Sequence, residues 1–451
     1  MSQKEVVDVS ITQNGRGRGI GDELPLELID TIVENNIDDK DSLLASSCVS
    51  KSWRTASLRH LFSAANFSSD DDFTRWREIG SHLPQVPLFV KEVMFAPGRR
   101  LRDKQKQQLY KQYPDVDGVP PQARLDALAR LLHDETLSSS SPPCVQLPDM
   151  PQARKLIWDT PFLHPVYCTV STQQFLSTFC SLNEVEFSGS FATISDAKQF
   201  LGLLPKIEVL DFEAINIAEA SSSGRSPAFT GDMTNLRRLS VGECRTSLDW
   251  LVDDILAVSC PTKLQSIRYE HYLPFSSRVF ACLVAISSES LQELIIQPPS
   301  DERSSLAGWR NPPQFTNQSF PSLMSLTFCI IQLGLPFGPL FSMNWCRRVM
   351  EVLPPAPKMT TLTMHFYAEE PEDVDDIVAD QSFNWKQLSE LTSELFPELK
   401  TFIVHVSMET EFGARQKALL EDLLEERLEH FGKKLKIEWV NENPAWGGDV
   451  E

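Results

Sequence analysis

The sequence PKIEVLDF, residues 205–212, holds the pattern that decides the expected fold. Ile207, Leu210 and Phe212 are apolar, and mostly polar residues separate them. Side chains alternate between the two faces of a strand, so Leu210 and Phe212 fall on the same face. Pro205 has no N–H to donate and stops a preceding helix just before the strand begins. The stretch therefore predicts a strand with one buried face.

The same apolar spacing recurs along the chain. Its ten starting residues are Val90, Ala153, Leu182, Ile207, Leu236, Leu264, Leu291, Leu323, Met359 and Leu399. From Leu182 to Leu323 the starts are 25, 29, 28, 27 and 32 residues apart. Five of the ten have a proline two residues before them, whereas a background frequency of ~5% predicts fewer than about one. The regular spacing and the prolines together indicate a structural repeat.

These units resemble leucine-rich repeats, whose period is about 20–29 residues. Four intervening segments have the apolar spacing of amphipathic helices: 195–204, 247–258, 277–284 and 385–395. The resemblance implies a right-handed α/β solenoid with a parallel sheet on its concave side. The repeats are irregular, since the last two spacings are 36 and 40 residues. From Gln416 onward, a helix and a strand are expected to cap the solenoid end.

Residues 22–67 have the periodicity of short helices instead. A first apolar run covers 24–33 with Pro25 in its first turn, a second covers 43–49, and a third covers 50–61. Three short helices cannot bury all of these side chains against one another. Part of this apolar surface therefore requires either the next domain or a partner.

This segment resembles an F-box. It reads LPLELI at 24–29, LL at 43–44 and VSKSWR at 49–54, the three parts of the family pattern in order. One departure is the loop 34–40, where the family often has a bulkier hydrophobic residue. The resemblance implies a fungal-type F-box protein with irregular repeats that docks onto a Skp-type adaptor and, through it, a cullin-RING ubiquitin ligase. The residues assigned to adaptor binding are Leu24, Pro25, Leu28, Ile29, Ile32, Leu43, Leu44, Val49, Trp53 and Arg54.

A helix that docks in a groove binds through a few apolar side chains at helical spacing, which fits this assignment. The alternative is that the same residues form the core of an N-terminal helical cap.

A second candidate surface lies between the apolar positions of the predicted strands. Polar residues there face the concave side of the predicted sheet and form a mixed-charge row that we assign to substrate binding. Its members are Glu184, Glu186, Asp211, Glu213, Arg238, Arg268 and Glu270. The alternative is an ordinary solvated sheet.

Composition narrows the class of protein. The 451 residues include 42 Lys and Arg against 62 Asp and Glu, a formal net charge of −20, which disfavours binding to nucleic acid. No apolar run approaches the ~18–20 residues of a membrane span, and the start is too polar for a secretory signal. Nine cysteines without a CxxC pair indicate reduced thiols. We expect an intracellular protein, cytoplasmic and/or nuclear, with no membrane contact.

Catalytic motifs are missing from the sequence. The eight histidines are scattered, and there is no HExxH, GxSxG or P-loop pattern. We therefore expect no catalytic residue, no metal ligand and no cofactor, and we expect that the protein is not an enzyme.

The expected fold class is α/β, with a three-helix F-box followed by a leucine-rich-repeat-like solenoid. Its expected divisions are a disordered tail at 1–21, the F-box at 22–67, a connecting helix and first repeat at 68–96, an insertion with a basic helix and a Ser/Pro loop at 97–150, and the solenoid at 151–451. The uncharged stretch 311–346 is expected to be an ordered loop or a partner contact.

Together these features predict a substrate-recognition adaptor of a Skp–cullin–F-box type ubiquitin ligase. It would hold the adaptor through the F-box and an unknown protein substrate through the repeats. The alternative is a leucine-rich-repeat interaction scaffold without a ligase partner.

Overall fold

The structure is a computed structural model. It describes residues 24–37, 39–97, 142–160, 165–204, 206–218, 228–244, 248–259, 261–270, 276–297, 319–332, 338–368, 385–408 and 414–440. The predicted tail at 1–21 and residues 98–141 of the predicted insertion lie outside these ranges.

Three short helices open the described chain: α1 Leu26–Glu34, α2 Lys40–Ser46 and α3 Lys51–Leu61. The Asp39 carboxylate caps α2, because it accepts hydrogen bonds at 3.1 Å from the backbone N–H groups of Asp41 and Ser42. Pro25 precedes α1, where its missing N–H costs nothing. The two other helices pack against α3.

This three-helix unit has a small core of its own. Ile29, Val33, Leu43 and Ala56 are buried together, and the core is separate from the large core of the rest of the chain. Leu24, Trp53 and Leu61 are half-buried around it. Four buried side chains are few for three helices, so much of the apolar surface of the unit stays outside.

Within the described residues, twelve parallel strands form one sheet. Their bounds are β1 Ala64–Phe67, β2 Glu92–Phe95, β3 Lys155–Asp159, β4 Glu184–Phe191, β5 Val209–Ile217, β6 Arg238–Cys244, β7 Ser266–Glu270, β8 Glu293–Gln297, β9 Ser325–Gln332, β10 Thr361–Ala368, β11 Thr401–Met408 and β12 Leu435–Val440. Each strand pairs with the strands before and after it in the chain. The sheet is therefore extended at one edge unit by unit and does not close, as in a solenoid-like α/β fold. The predicted α/β class and parallel sheet are confirmed.

Helical segments connect the strands. They are α4 Asp70–His82, α5 Val170–Ser177, α6 Ile194–Gly202, α7 Ser276–Ser287, α8 Gly338–Val352, α9 Trp385–Leu395 and α10 Ala414–Arg427. A π-helix covers Trp250–Leu256, and 3-10 turns cover Pro87–Phe89 and Glu429–Lys434. None of the helices within the described ranges has both the length and the apolar character needed to span a bilayer.

The large core lies between one face of the sheet and these helices. All three apolar positions in each of the ten predicted units are buried. One ladder of directly paired residues runs from Val93 in β2 to Phe402 in β11, and a second runs from Phe95 to Val404. Fully burying each such side chain stabilises the folded state by ~1.5–3 kcal/mol. The repeated apolar spacing therefore holds the strands in register, because a shifted strand would expose these side chains.

Two elements differ from expectation. Strand β1 was not predicted, because residues 22–67 were assigned to the three-helix segment, although Phe62, Ala65 and Phe67 have the apolar spacing of the other units and Ala65 and Phe67 are buried. The expectation of a loop over 311–346 is wrong for residues 338–346, which belong to α8, and residues 325–332 of the same stretch form β9, the strand that the unit starting at Leu323 predicts. Pro339 does not prevent this helix, since proline is tolerated in the first turn.

Candidate functional site

The surface of the three-helix unit is unusually apolar. Leu28 is 51% exposed, Ile32 41%, Leu44 54% and Val49 59%. Of the twelve large hydrophobic residues that are exposed in the described part of the chain, six lie between residues 26 and 49. Single exposed hydrophobic residues are common, but such a concentration is typical of a binding surface.

Helix geometry explains how neighbouring residues divide between core and surface. Leu28 and Ile32 are one turn apart and lie on the same side of α1. Ile29 directly follows Leu28, and Val33 directly follows Ile32. One residue along a helix is a rotation of about 100°, which turns both side chains toward α3, where they are buried. In α2, the same division separates exposed Leu44 from buried Leu43.

Two of the predicted adaptor-binding residues are not on this surface. Ile29 and Leu43 are each 1% exposed, so a partner docked on the unit as it stands cannot touch them. Their assignment to direct contact is corrected: they hold the three helices together. Leu24 and Trp53 are half-buried against the same core.

The other predicted residues have local structural partners. The Pro25 carbonyl accepts hydrogen bonds from the backbone N–H groups of Leu28 and Ile29 at 3.0 and 3.1 Å. Arg54 is exposed, and its Nε donates to the Ser47 carbonyl at 3.3 Å. This bond ties α3 to the turn after α2, next to Val49.

A second surface is the face of the sheet that points away from the helices, which we call the open face. It carries the residues between the buried positions of each strand, and they are mostly half-exposed, as in β3 and β4. Side chains of adjacent parallel strands lie ~4.8 Å apart along each row. Residues far apart in sequence thus become neighbours here.

The structure brings the predicted acidic residues together on this face. Glu186 in β4 and Asp211 in β5 are direct Cα partners, so two carboxylates stand side by side. Lys155 in β3 forms an ion pair with Glu186, with Nζ 3.2 Å from Oε2. Glu184 is in the neighbouring row and is also half-exposed. Glu213 is exposed at the point where the pairing of β4 and β5 shifts by one residue.

The predicted basic residues follow on the next strands. Arg238 in β6 is exposed, and it is in the row of Glu184 with Val209 between them. Arg268 in β7 is half-exposed and lies between Ser240 and Ile295. Glu270 closes β7, but its side chain is outside the described part of the structure.

Sequence reasoning missed a histidine cluster on the open face. His365 in β10 and His405 in β11 are direct Cα partners, and their ring centroids are 4.4 Å apart with an interplanar angle of 32°. The Nε2 atom of His365 is hydrogen-bonded to Ser407 Oγ at 2.7 Å. A signal was available, because each histidine directly follows the third apolar residue of its unit, Met364 or Val404.

The cluster holds His365 uncharged. The pKa of His365 is lowered from 6.5 to about 4. Burial is the largest cause, and the charges of His405 and Arg268 lower the pKa further. Burial of the imidazolium is unfavourable because water no longer solvates its charge. The ring therefore acts as a neutral hydrogen-bonding group at neutral pH.

The buried thiols have no nucleophilic character. Burial, together with the charge of Asp196, raises the pKa of Cys168 to about 12. Burial also raises the pKa of Cys346 well above its usual value. Since the thiolate is the reactive form, neither group is activated. Across the described ranges, no three His, Cys, Asp or Glu side chains come together in a way that could hold a metal ion.

No family model matches this sequence, and a search of curated proteins finds no significant match.

Proposed function

We propose that this chain is a substrate-recognition adaptor of a Skp–cullin–F-box type ubiquitin ligase. The three-helix unit binds a Skp-type adaptor, and the open face of the sheet binds a protein substrate. The chain itself catalyses nothing. It raises the effective concentration of the substrate beside the catalytic partners.

The exposed apolar surface of the three-helix unit is the observation that carries this proposal. Leu28, Ile32, Leu44 and Val49 are each about half exposed, and covering them gains a corresponding part of the ~1.5–3 kcal/mol for a fully buried side chain. The resemblance of residues 22–67 to an F-box supports a Skp-type protein as the partner. The motif at 24–29, 43–44 and 49–54 favours a Skp-type adaptor over any other protein that could cover an apolar surface.

Under this proposal the contact residues and the supporting residues are different. Leu28, Ile32, Leu44 and Val49 touch the adaptor, whereas buried Ile29 and Leu43 position the helices that carry them. Proposed contacts therefore alternate with core residues along α1 and α2.

The repeats supply the second half of the proposed function. Leucine-rich-repeat-like units that stack into a solenoid present a long open sheet face to a protein. The mixed-charge row on β4 to β7 fits a polar, protein-sized partner better than a small apolar ligand. Charged rows of this kind give specificity and faster association rather than large affinity.

The test is a pull-down of the full chain with a purified Skp-type adaptor. Leu28→Asp combined with Ile32→Asp places two charges in the proposed contact, and we expect capture to be lost. The matched control is Val170→Asp combined with Val258→Asp, because both valines are 68% exposed and lie outside the three-helix unit. This control should capture the adaptor like the unmodified chain.

Circular dichroism and amide hydrogen exchange of both variants establish that the sheet stays folded. If the unmodified chain fails to bind the adaptor, or the Leu28 and Ile32 variant still binds it, the ligase proposal is wrong. The remaining interpretation is then an interaction scaffold without a ligase partner.

A further inference from the structure

The histidine cluster joins two strands of the C-terminal part of the sheet. β10 and β11 are paired over eight residues, with His365 and His405 opposite each other inside the paired stretch. Ser407 bridges the strands, since its Oγ lies 2.7 Å from His365 Nε2 and 3.5 Å from the Phe366 carbonyl oxygen. Ser407 is buried, and the imidazole of His365 is half-buried. A change of charge at His365 therefore acts directly on the contact between these strands.

Several other groups that can carry charge surround His365. On β9 to β12, the chargeable groups at open-face positions are Cys329, Tyr367, His405, Lys436 and Glu438. Arg268 of β7 also acts on His365. Glu438 is the Cα partner of His405 rather than of His365, and it is ion-paired with Lys436. The charges that act on the pKa of His365 are those of His405 and Arg268, and both are unfavourable to an imidazolium.

We propose that the His365–His405 pair is an acid-sensitive contact, whose protonation separates β10 from β11 before the rest of the sheet opens. The centroids of the two rings are 4.4 Å apart, so a second positive charge there is repelled at close range in a place that water reaches poorly. This device is independent of the proposed ligase function.

The direction of the pH effect follows from proton linkage. When the strands separate, His365 regains an ordinary pKa of ~6.5, whereas in the closed sheet its pKa is about 4. The open form then binds more protons between these two values, so opening becomes more favourable as the pH falls through this window. Between pH 7.5 and pH 5, we expect the opening equilibrium of β10 and β11 to rise on the order of 30-fold.

Amide hydrogen exchange of the full chain at pH 7.5 and pH 5 measures this opening, after correction for the intrinsic exchange rate. In the unmodified protein, amides of β10 and β11 should lose protection on acidification while those of β4 and β5 change little. His365→Gln keeps a side chain that can bond to Ser407 and should abolish most of the difference. His82→Gln changes an exposed histidine in the last turn of α4 and should behave like the unmodified protein.

His405→Gln separates the role of the neighbouring ring from that of burial. It leaves the hydrogen bond of His365 to Ser407 in place and should reduce the pH effect without removing it. Equal loss of protection in β4 and β5, or an unchanged effect in His365→Gln, overturns the proposal.

An NMR titration of the unmodified protein tests the proposal without any variant. The His365 ring should stay neutral to below about pH 5, in keeping with its pKa of about 4. A titration midpoint near that of an ordinary histidine overturns the proposal.

Discussion

Gly189 lies where β4 passes close to the end of β3. Its φ angle is 148°, a region that residues with a side chain rarely adopt. A Cβ atom at this position would overlap the Thr160 hydroxyl and approach the Thr160 carbonyl oxygen to 2.9 Å. Thr160 is itself buried, and its N–H donates to the Ser188 carbonyl at 2.9 Å. The backbone of β3 therefore has no easy way to move aside.

Gly189→Ala should lower the free energy of unfolding by about 1–3 kcal/mol, because the substitution combines backbone strain with a clash in a buried place. Gly202→Ala is the control, since a Cβ there meets nothing closer than 3.8 Å at the end of α6. That change should be neutral or stabilise by up to ~1 kcal/mol. Urea unfolding of both variants measures the difference, and equal effects would contradict the argument.

At the scale of elements, the three-helix unit and the sheet have separate cores. The unit is held together by Ile29, Val33, Leu43 and Ala56, whereas the sheet core begins at Ala65. A core of four side chains provides little stability by comparison with the many buried residues of the sheet. The unit should therefore be able to unfold locally while the sheet stays intact.

Leu43→Ala should open the three-helix unit. Truncating a fully buried leucine costs ~2–5 kcal/mol, a large part of what so small a core can supply. Leu44→Ala, one residue further and 54% exposed, should cost no more than ~0.5 kcal/mol. Hydrogen exchange should show lost protection over residues 26–61 in the first variant alone. If the sheet loses protection equally, the two cores are not independent.

At the scale of the whole molecule, contacts between strands are strictly sequential. Within the described residues each strand pairs with its neighbours in the chain, and the helices pack on the same side, so distant strands are not hydrogen-bonded to one another. Such an arrangement behaves as a row of units whose stability depends on nearest neighbours. The C-terminal end is closed by Phe431, which stacks on Phe402 with ring centroids 4.1 Å apart.

Phe431→Ala should loosen the end of the sheet and leave its middle protected. The loss of about 3–5 kcal/mol expected for a buried phenylalanine should appear in the amides of β11 and β12. Phe200→Ala is the matched case in the middle, where the ring contacts Trp158 at 5.0 Å and Phe191 at 5.5 Å. Its effect should centre on β3 and β4. A uniform loss over all strands in both variants would show that the sheet unfolds as one unit.

The positions of β2 to β12 could be predicted because the apolar spacing of each unit is a local property. A strand buried on one face requires apolar residues at alternate positions, and Leu210 and Phe212 meet that requirement whatever surrounds them. Ala65 and Phe67 in β1 meet the same requirement and are buried; β1 was missed because residues 22–67 were assigned to the three-helix segment.

The division of apolar residues in the three-helix unit depended on the tertiary structure. The sequence contains more apolar residues in α1 and α2 than the small core accommodates, and periodicity does not tell which of them face α3. Leu28 and Ile29 are adjacent and equally apolar, yet one is exposed and the other buried. The rotation of α1 against α3 decides between them, and no local pattern encodes that angle.

On the open face, too, the sequence predicts the side on which a residue lies but not which residue of another strand lies beside it. The sequence alone determined which residues of each strand point away from the core, including Glu186, Asp211 and Arg268. Only the pairing of strands placed His365 beside His405, which are 40 residues apart in the chain. Alternation along a strand follows from backbone geometry, whereas register between strands is set by the packing of all the buried ladders together.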